Sequence, residues 1–229
     1  MIDVKEYLVN MPNTSSNDIL LKTVDETPQS EWKELYIQKI ITCYMRMGYD
    51  LDSMIGELGY CLNWLDSTDF FVCPASTKYH DSFPNGLLYH SLLVADKTVE
   101  LLRVKTFKGN VKPHEAILVA LVHDWCKIGL YESYEKNVKD SSGNWVKEPA
   151  YKVKDDPLTC FGHGVSSMTL AQRFFRFTDD MLLAIRWHMG WCNVCEKEKV
   201  ELTYAENHYP LVNLIAFADK LAITEYQKP

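Results

Sequence analysis

The chain has 229 residues, 24 Lys plus Arg against 31 Asp plus Glu for a formal charge of −7, with 47% hydrophobic and 24% charged residues. That balance supports a sizeable buried core in one domain with a small appendage and excludes wholesale disorder, while the acidic excess argues against a broad nucleic-acid-binding surface and leaves only a local groove open. No apolar run approaches the roughly 18 residues of a membrane helix.

The opening MIDVKEYLVN lacks the basic-then-apolar layout of a signal peptide, so a cytoplasmic protein without membrane contact is expected. Seven cysteines (Cys43, Cys61, Cys73, Cys126, Cys160, Cys192, Cys195) are an odd, scattered set, which points to reduced thiols rather than a disulfide framework.

Residues 1–30 hold Pro12, Asn13, Ser15, Ser16, Asn17 and Pro28 with little periodicity and predict an irregular or short-helical lead-in. From Glu31, the residues Trp32, Leu35, Tyr36, Ile40, Cys43, Tyr44 and Met47 recur at helical steps until Gly48, and a second helix is expected from Ser53 to Leu65. PASTKYHDSFPNG (74–86) reads as a loop entering a helix from about Leu87 to Val104. Pro113 opens PHEAILVALVHDWCKIG, which is apolar on nearly all sides through Val122 and must be central; its last turns carry His123 and Asp124.

Between Tyr131 and Asp155, aromatic, Val and Lys residues alternate around Ser-Gly-Asn, the pattern of an inserted β-hairpin. Helical periodicity returns in HGVSSMTLAQRFFRF, in TDDMLLAIRWHMG with Thr178 as N-cap, and in PLVNLIAFADKLAITEY. The expected fold is all-α, a mainly helical bundle carrying one small hairpin near 131–155.

Six residues combine predicted burial with chemistry: His90 in GLLYHSLL, His123 and Asp124 in LVHDWCK, His163 in FGHGV, His188 in IRWHMG and Asp219 in FADKLA. One buried histidine is commonly a satisfied core residue. Several such groups on successive core helices would each need its own compensating network, because burying an ionisable group is costly unless it is paired or binds a metal. A shared metal site satisfies all six at once. Imidazole and carboxylate without thiolate suit Mn²⁺, Fe²⁺, Co²⁺, Ni²⁺ or Zn²⁺, with Mg²⁺ a further candidate. Six ligands exceed what one ion with open positions uses, so two divalent ions are expected, an arrangement suited to hydrolysis of a phosphate ester.

The order His, His-Asp, His, His, Asp resembles the HD superfamily of metal-dependent phosphohydrolases over roughly residues 74–225, and the extra pair His163 and His188 resembles its binuclear branch. The resemblance implies an HD phosphohydrolase domain over 74–229 behind a helical N-terminal lead-in, 1–73, packed on the core. It further implies that His90, His123, Asp124 and Asp219 hold one ion, that His163 and His188 hold the second, and that Asp124 bridges both, with a hydroxide between the ions as nucleophile. Lys127 matches the lysine of the family's HDxGK pattern and is implied to contact a substrate phosphate or order the site, against the reading of a solvated helix-end lysine, while Cys126 stands where the family often has a helix-terminating glycine.

The segment PASTKYHDSFPNGLLYHSLLVA is similar to the entry into the HD domain of certain 3′-to-5′ exoribonucleases and conjugative relaxases, which makes Lys78, Tyr79 and His80 candidates to line a substrate pocket, against the reading of a plain surface loop. Arg186 points about 200° away from His188 around a helix and is a candidate phosphate grip or, alternatively, half of a structural salt bridge. Trp187 and Trp191 suit base stacking or core packing, and the Cys192/Cys195 pair lacks obvious partners for a zinc site. From 131 to 156 five Lys face six acids, a balance suited to a lid over a small nucleotide rather than a groove for a long backbone. The expected activity is hydrolysis of a nucleotide or other small phosphate ester. The alternatives are a nuclease on single-stranded RNA or DNA and a non-catalytic metal-stabilised regulatory domain.

Overall fold

The computed structural model describes residues 2–10, 16–50, 52, 54–156, 161–192 and 194–226. Its helices are α1 (Val4–Asn10), α2 (Ser16–Leu21), α3 (Trp32–Arg46), α4 (Gly59–Asp66), α5 (Gly86–Leu101), α6 (Pro113–Val122), α7 (His163–Ala171), α8 (Asp179–Trp187), α9 (Glu196–His208) and α10 (Pro210–Tyr226). Strands β1 (Tyr131–Lys139) and β2 (Trp145–Val153) form the expected hairpin, antiparallel with Tyr131 opposite Val153 and Lys139 opposite Trp145. Among the described residues no helix is long and apolar enough to cross a membrane. The six described cysteines are free thiols, and Cys160 lies outside the described residues.

The apolar character of α6 dictates its place. Ala116 to Val122 are all buried, and α6 packs against α3, α5, α8 and α10. A helix apolar all round has no face to offer water, so the others must surround it.

The structure corrects the expected length of this helix: α6 stops at Val122 rather than continuing to Gly129. Its last carbonyls are taken by side chains, since the Tyr36 hydroxyl donates to Leu121 O at 2.8 Å and His123 Nδ1 lies 2.7 Å from Ala120 O. Asp124 then leaves helical geometry (φ −109°, ψ 19°), Trp125–Lys127 form one 3₁₀ turn, and Gly129 at φ +68° reverses the chain. Buried Trp125 anchors this break by donating from Nε1 to the Tyr36 hydroxyl at 3.0 Å. The polar residues of the HD pair thus stand at a helix end facing the bundle interior.

Other boundaries shift for local reasons. Ser53 lies outside the described residues, and α4 is entered through a π-type turn at Met54–Leu58. The helix expected to run on through Arg173 and Phe177 ends at Ala171, where Phe174 and Phe175 turn inward onto Trp64, Trp125 and Tyr44. Thr178 occupies the N-cap position of α8, but its hydroxyl donates to the Asp180 carboxylate rather than accepting a backbone N–H.

The lead-in is tied to the bundle through Lys39, which is fully buried. Its ammonium donates to Leu20 O at 2.9 Å and lies 3.4 Å from Asp96 Oδ1, while Asp96 Oδ2 accepts the Val24 N–H at 2.7 Å. Burial pushes the Lys39 amine down and the Asp96 carboxyl up to about 6, against their mutual attraction. Removing one member of a buried pair strands the other, so Asp96→Ala should lower unfolding free energy by about 3–5 kcal/mol in a urea titration. A change below about 1 kcal/mol would show that the pair does not anchor the lead-in.

Candidate metal centre

Five separate stretches of chain deliver the six residues to one point. His90 sits mid-α5, His123 and Asp124 follow α6, His163 is the first residue of α7, His188 follows α8, and Asp219 lies on α10. All are buried except His163, whose side chain is 34% exposed, so the centre opens to solvent on that side.

The two oxygens of Asp124 divide the histidines. Oδ2 lies 3.5 Å from His90 Nε2 and 3.4 Å from His123 Nε2, whereas Oδ1 lies 2.7 Å from His163 Nε2 and 3.4 Å from His188 Nε2. Asp219 Oδ1 joins the first group, 3.1 Å from His90 Nε2 and 3.9 Å from His123 Nε2. Nε2 of His90, His123 and His188 are buried without a hydrogen-bond partner. Buried polar atoms are seldom left so, and here they converge on carboxylates.

The outer nitrogens explain the orientation. His123 Nδ1 donates to Ala120 O and His188 Nδ1 to Ile185 O, each at 2.7 Å. A carbonyl only accepts, so Nδ1 carries a proton and, in the neutral ring, Nε2 is a lone pair pointing inward. His163 Nδ1 instead meets the Cys126 thiol at 3.4 Å, and Asp124, Cys126 and His163 together could hold an ion. The residue that departs from the family's glycine therefore packs against a candidate ligand.

Glycines on either side of His163 permit its placement. Gly162 adopts φ +87°, and a Cβ on Gly164 would lie 1.9 Å from Arg186 O, so only glycine lets α7 approach α8 this closely.

Burial penalises every charge here, and the partners decide each outcome. Against burial, Asp219 and Asp81 raise His90 to about 9, and Asp124 raises His188; burial prevails at His123, which is lowered. Against burial, Lys127 and His123 hold Asp124 well below the usual carboxylate range. Asp219 is held down likewise, mainly by His90. Lys127 itself is buried with Nζ 2.6 Å from Asp124 Oδ2, and despite burial that carboxylate raises its affinity for the proton.

The tight turn at 76–80 separates the three pocket candidates before α5. Ser76 Oγ donates to His80 O at 2.6 Å and accepts the Tyr79 N–H at 2.9 Å; Lys78 and Tyr79 face solvent, while the His80 ring packs 4.8 Å from that of His90. Arg186 donates to Glu201 at 2.7 Å and lies over the Trp187 ring at 4.3 Å, so its guanidinium is engaged. Trp187 is buried, and exposed Trp191 donates to Glu206 at 3.0 Å. A pocket of ≈ 330 Å³ opens beside His163, walled by Phe161, Arg186, Trp187, Met189, Cys192 and Glu198 among others.

Sequence reasoning missed Asp81. It is fully buried with Oδ2 3.2 Å from His90 Nδ1, and the only signal for it was an acidic residue in a loop immediately before a ligand-bearing helix.

A family model for the HD domain matches residues 87–224, more than half of the chain. No curated protein and no solved structure gives a significant match.

The α7–α8 contact yields a direct test. Gly164→Ala should drive α7 off the Arg186 carbonyl, destabilise the fold by about 1–3 kcal/mol and weaken Co²⁺ binding at the His163 side. Parental thermal stability and parental Co²⁺ titration would refute the close approach.

Proposed function

The chain belongs to the HD-domain family of metal-dependent phosphohydrolases, and on that premise we propose that it is a dinuclear enzyme hydrolysing a phosphate ester of a nucleotide or related small substrate. One observation carries the two-ion reading: the Asp124 carboxylate has two histidines on each oxygen, with Asp219 completing the Oδ2 side. A carboxylate placed so would bridge two ions. When bound, two divalent ions supply a water acidified enough to attack at neutral pH and Lewis-acid contact with the phosphate oxygens.

The protein's own groups do the rest. His90, His123 and Asp219 serve one half-site and His163 and His188 the other, each imidazole offering Nε2. Lys127, held beside Asp124, keeps a fixed positive charge at the centre, where it steadies the bridging carboxylate and attracts an anionic substrate. His80 is the member of the 78–80 trio that packs against the ligand set.

Two features favour a small substrate over a nucleic-acid strand. The pocket beside His163 is of small-ligand size, with Phe161 and Trp187 able to cover an apolar or aromatic portion. Three of the hairpin lysines also face glutamates across the ribbon: Lys147 pairs with Glu135 at 2.8 Å, Lys152 with Glu132 at 2.6 Å and Lys136 with Glu148 at 4.0 Å. Cations already paired with glutamates release few counterions on meeting a phosphate backbone.

The test joins metal analysis to turnover of p-nitrophenyl phosphate and bis-p-nitrophenyl phosphate. About two ions per chain are expected, with activity abolished by chelation and restored by Mn²⁺. Asp124→Ala should reduce turnover to background because both half-sites lose an oxygen, while His188→Ala should retain about one ion. Monoester preference would mark a nucleotidase and diester preference a phosphodiesterase. Full turnover in Asp124→Ala would sink the mechanism, and one tight ion with no turnover would favour a regulatory domain.

A further inference from the structure

The four imidazoles of the centre are steered by different devices. His123 and His188 are turned by their own helix carbonyls and His163 meets a thiol, but His90 has no such neighbour, because mid-helix its ring lies away from the free carbonyls of a helix end. Its Nδ1 lies 3.2 Å from Asp81 Oδ2, both residues fully buried, with the His80 ring packed beside it.

The loop before α5 is built around that carboxylate. Asp81 adopts φ +50°, a left-handed conformation uncommon outside glycine. The strain is held in place from two sides: the Asp81 carbonyl accepts the Ala75 N–H at 3.0 Å, and Gly86 packs so closely that a Cβ there would lie 2.0 Å from that carbonyl oxygen. Yet the Asp81 side chain gains nothing from the loop: neither oxygen makes a hydrogen bond of regular geometry among the described residues, and His90 Nδ1, 3.2 Å from Oδ2, is likewise buried without one. A buried carboxylate carried on a strained backbone, with the His80 and His90 rings in reach and His90 Nδ1 3.2 Å from Oδ2, points to a role at those imidazoles.

We propose that Asp81 is a positioning residue that accepts the Nδ1 proton of His90 and so aims Nε2 at the Asp124–Asp219 half-site. This rests on His90 being a metal ligand. A carboxylate behind a ligating imidazole fixes its tautomer and ring angle and strengthens it as a donor, which a backbone carbonyl does less well. His90 is thereby the strongest imidazole donor of the set.

A competing arrangement uses the same atoms. His80, Asp81 and His90 lie close enough to hold an ion among themselves, and His80 Nε2 is also buried without a partner. In that case Asp81 would be a ligand rather than a positioner.

Co²⁺ titration of the metal-free protein, read by calorimetry and visible absorption, separates these. Asp81→Ala should weaken binding at the Asp219 half-site about 10- to 100-fold and shift the ligand-field bands, with the number of ions unchanged. Asp81→Asn keeps an acceptor oxygen without the charge and should fall between parent and Asp81→Ala. His80→Ala should titrate like the parent, and His90→Ala should lose the half-site. If His90→Ala loses it while Asp81→Asn and Asp81→Ala bind like the parent, the positioning role is wrong and the ligand assignment stands. Should Asp81→Ala fail to fold, parental affinity and spectrum in Asp81→Asn overturn the role by themselves. Loss of one whole ion in both Asp81→Ala and His80→Ala would make Asp81 a ligand and overturn it, and parental binding by His90→Ala would remove the premise.

Discussion

Asp124 is engaged from both sides, and the rest of the structure can be understood as the means of holding it there. Its Oδ2 side receives His90, His123 and Lys127, and its Oδ1 side receives His163 and His188. A carboxylate buried this deeply is costly unless cations or donors surround it, and no single helix can present them in all directions. The solution is a helix that ends at the middle of the bundle. The side-chain capture of the Ala120 and Leu121 carbonyls releases the backbone at Asp124, and α5, α7, α8 and α10 close around the buried His123–Asp124 pair.

The two halves of the centre differ in how they are secured. The His90, His123 and Asp219 half lies on helices whose facing sides are continuous core, including Leu87, Val94, Leu118, Leu121, Ile215 and Ala222. The His163 half depends on a helix beginning between two glycines, one with positive φ and one pressed onto the Arg186 carbonyl. Rigidity on one side and a narrow, solvent-facing element on the other give the pocket access without opening the core.

Much of this was legible in the chain, because burial and chemistry contradict each other at few positions. His90, His123, His188 and Asp219 stand in apolar helical runs, where any one alone could be a satisfied core residue but the set together calls for a shared partner, and the structure brings all four together. The hairpin was equally plain from its alternation and its turn, closed by Asp140 accepting the Ser142 and Asn144 N–H groups. What escaped the sequence is what depends on tertiary closure. Asp81 matters only because Gly86 and Ala75 fold its loop back onto α5. Helix α9 escaped for the opposite reason: it is charged on nearly every side and buries only Leu202 and Ala205, so it shows little apolar periodicity. Its start is specified instead by a capping box between Cys195 and Glu198. The end of α6 was misjudged because an apolar run gives no notice that Tyr36, 85 positions away from Leu121, will claim its final carbonyl.

The hairpin has a bearing on how the protein behaves in a crowded solution. It is a two-stranded ribbon of nine residues per strand, and among the described residues each strand leaves an edge unpaired. Ribbons of that length invite other chains to add to them. Here an incoming strand would have to strip water from Glu132, Glu135, Lys136, Lys147, Glu148 and Lys152, and at Pro149 it would find no N–H to bond. The cross-strand ion pairs and Pro149 therefore blunt the free edges of the hairpin against edge-to-edge pairing, which lets a helical protein carry an exposed β ribbon.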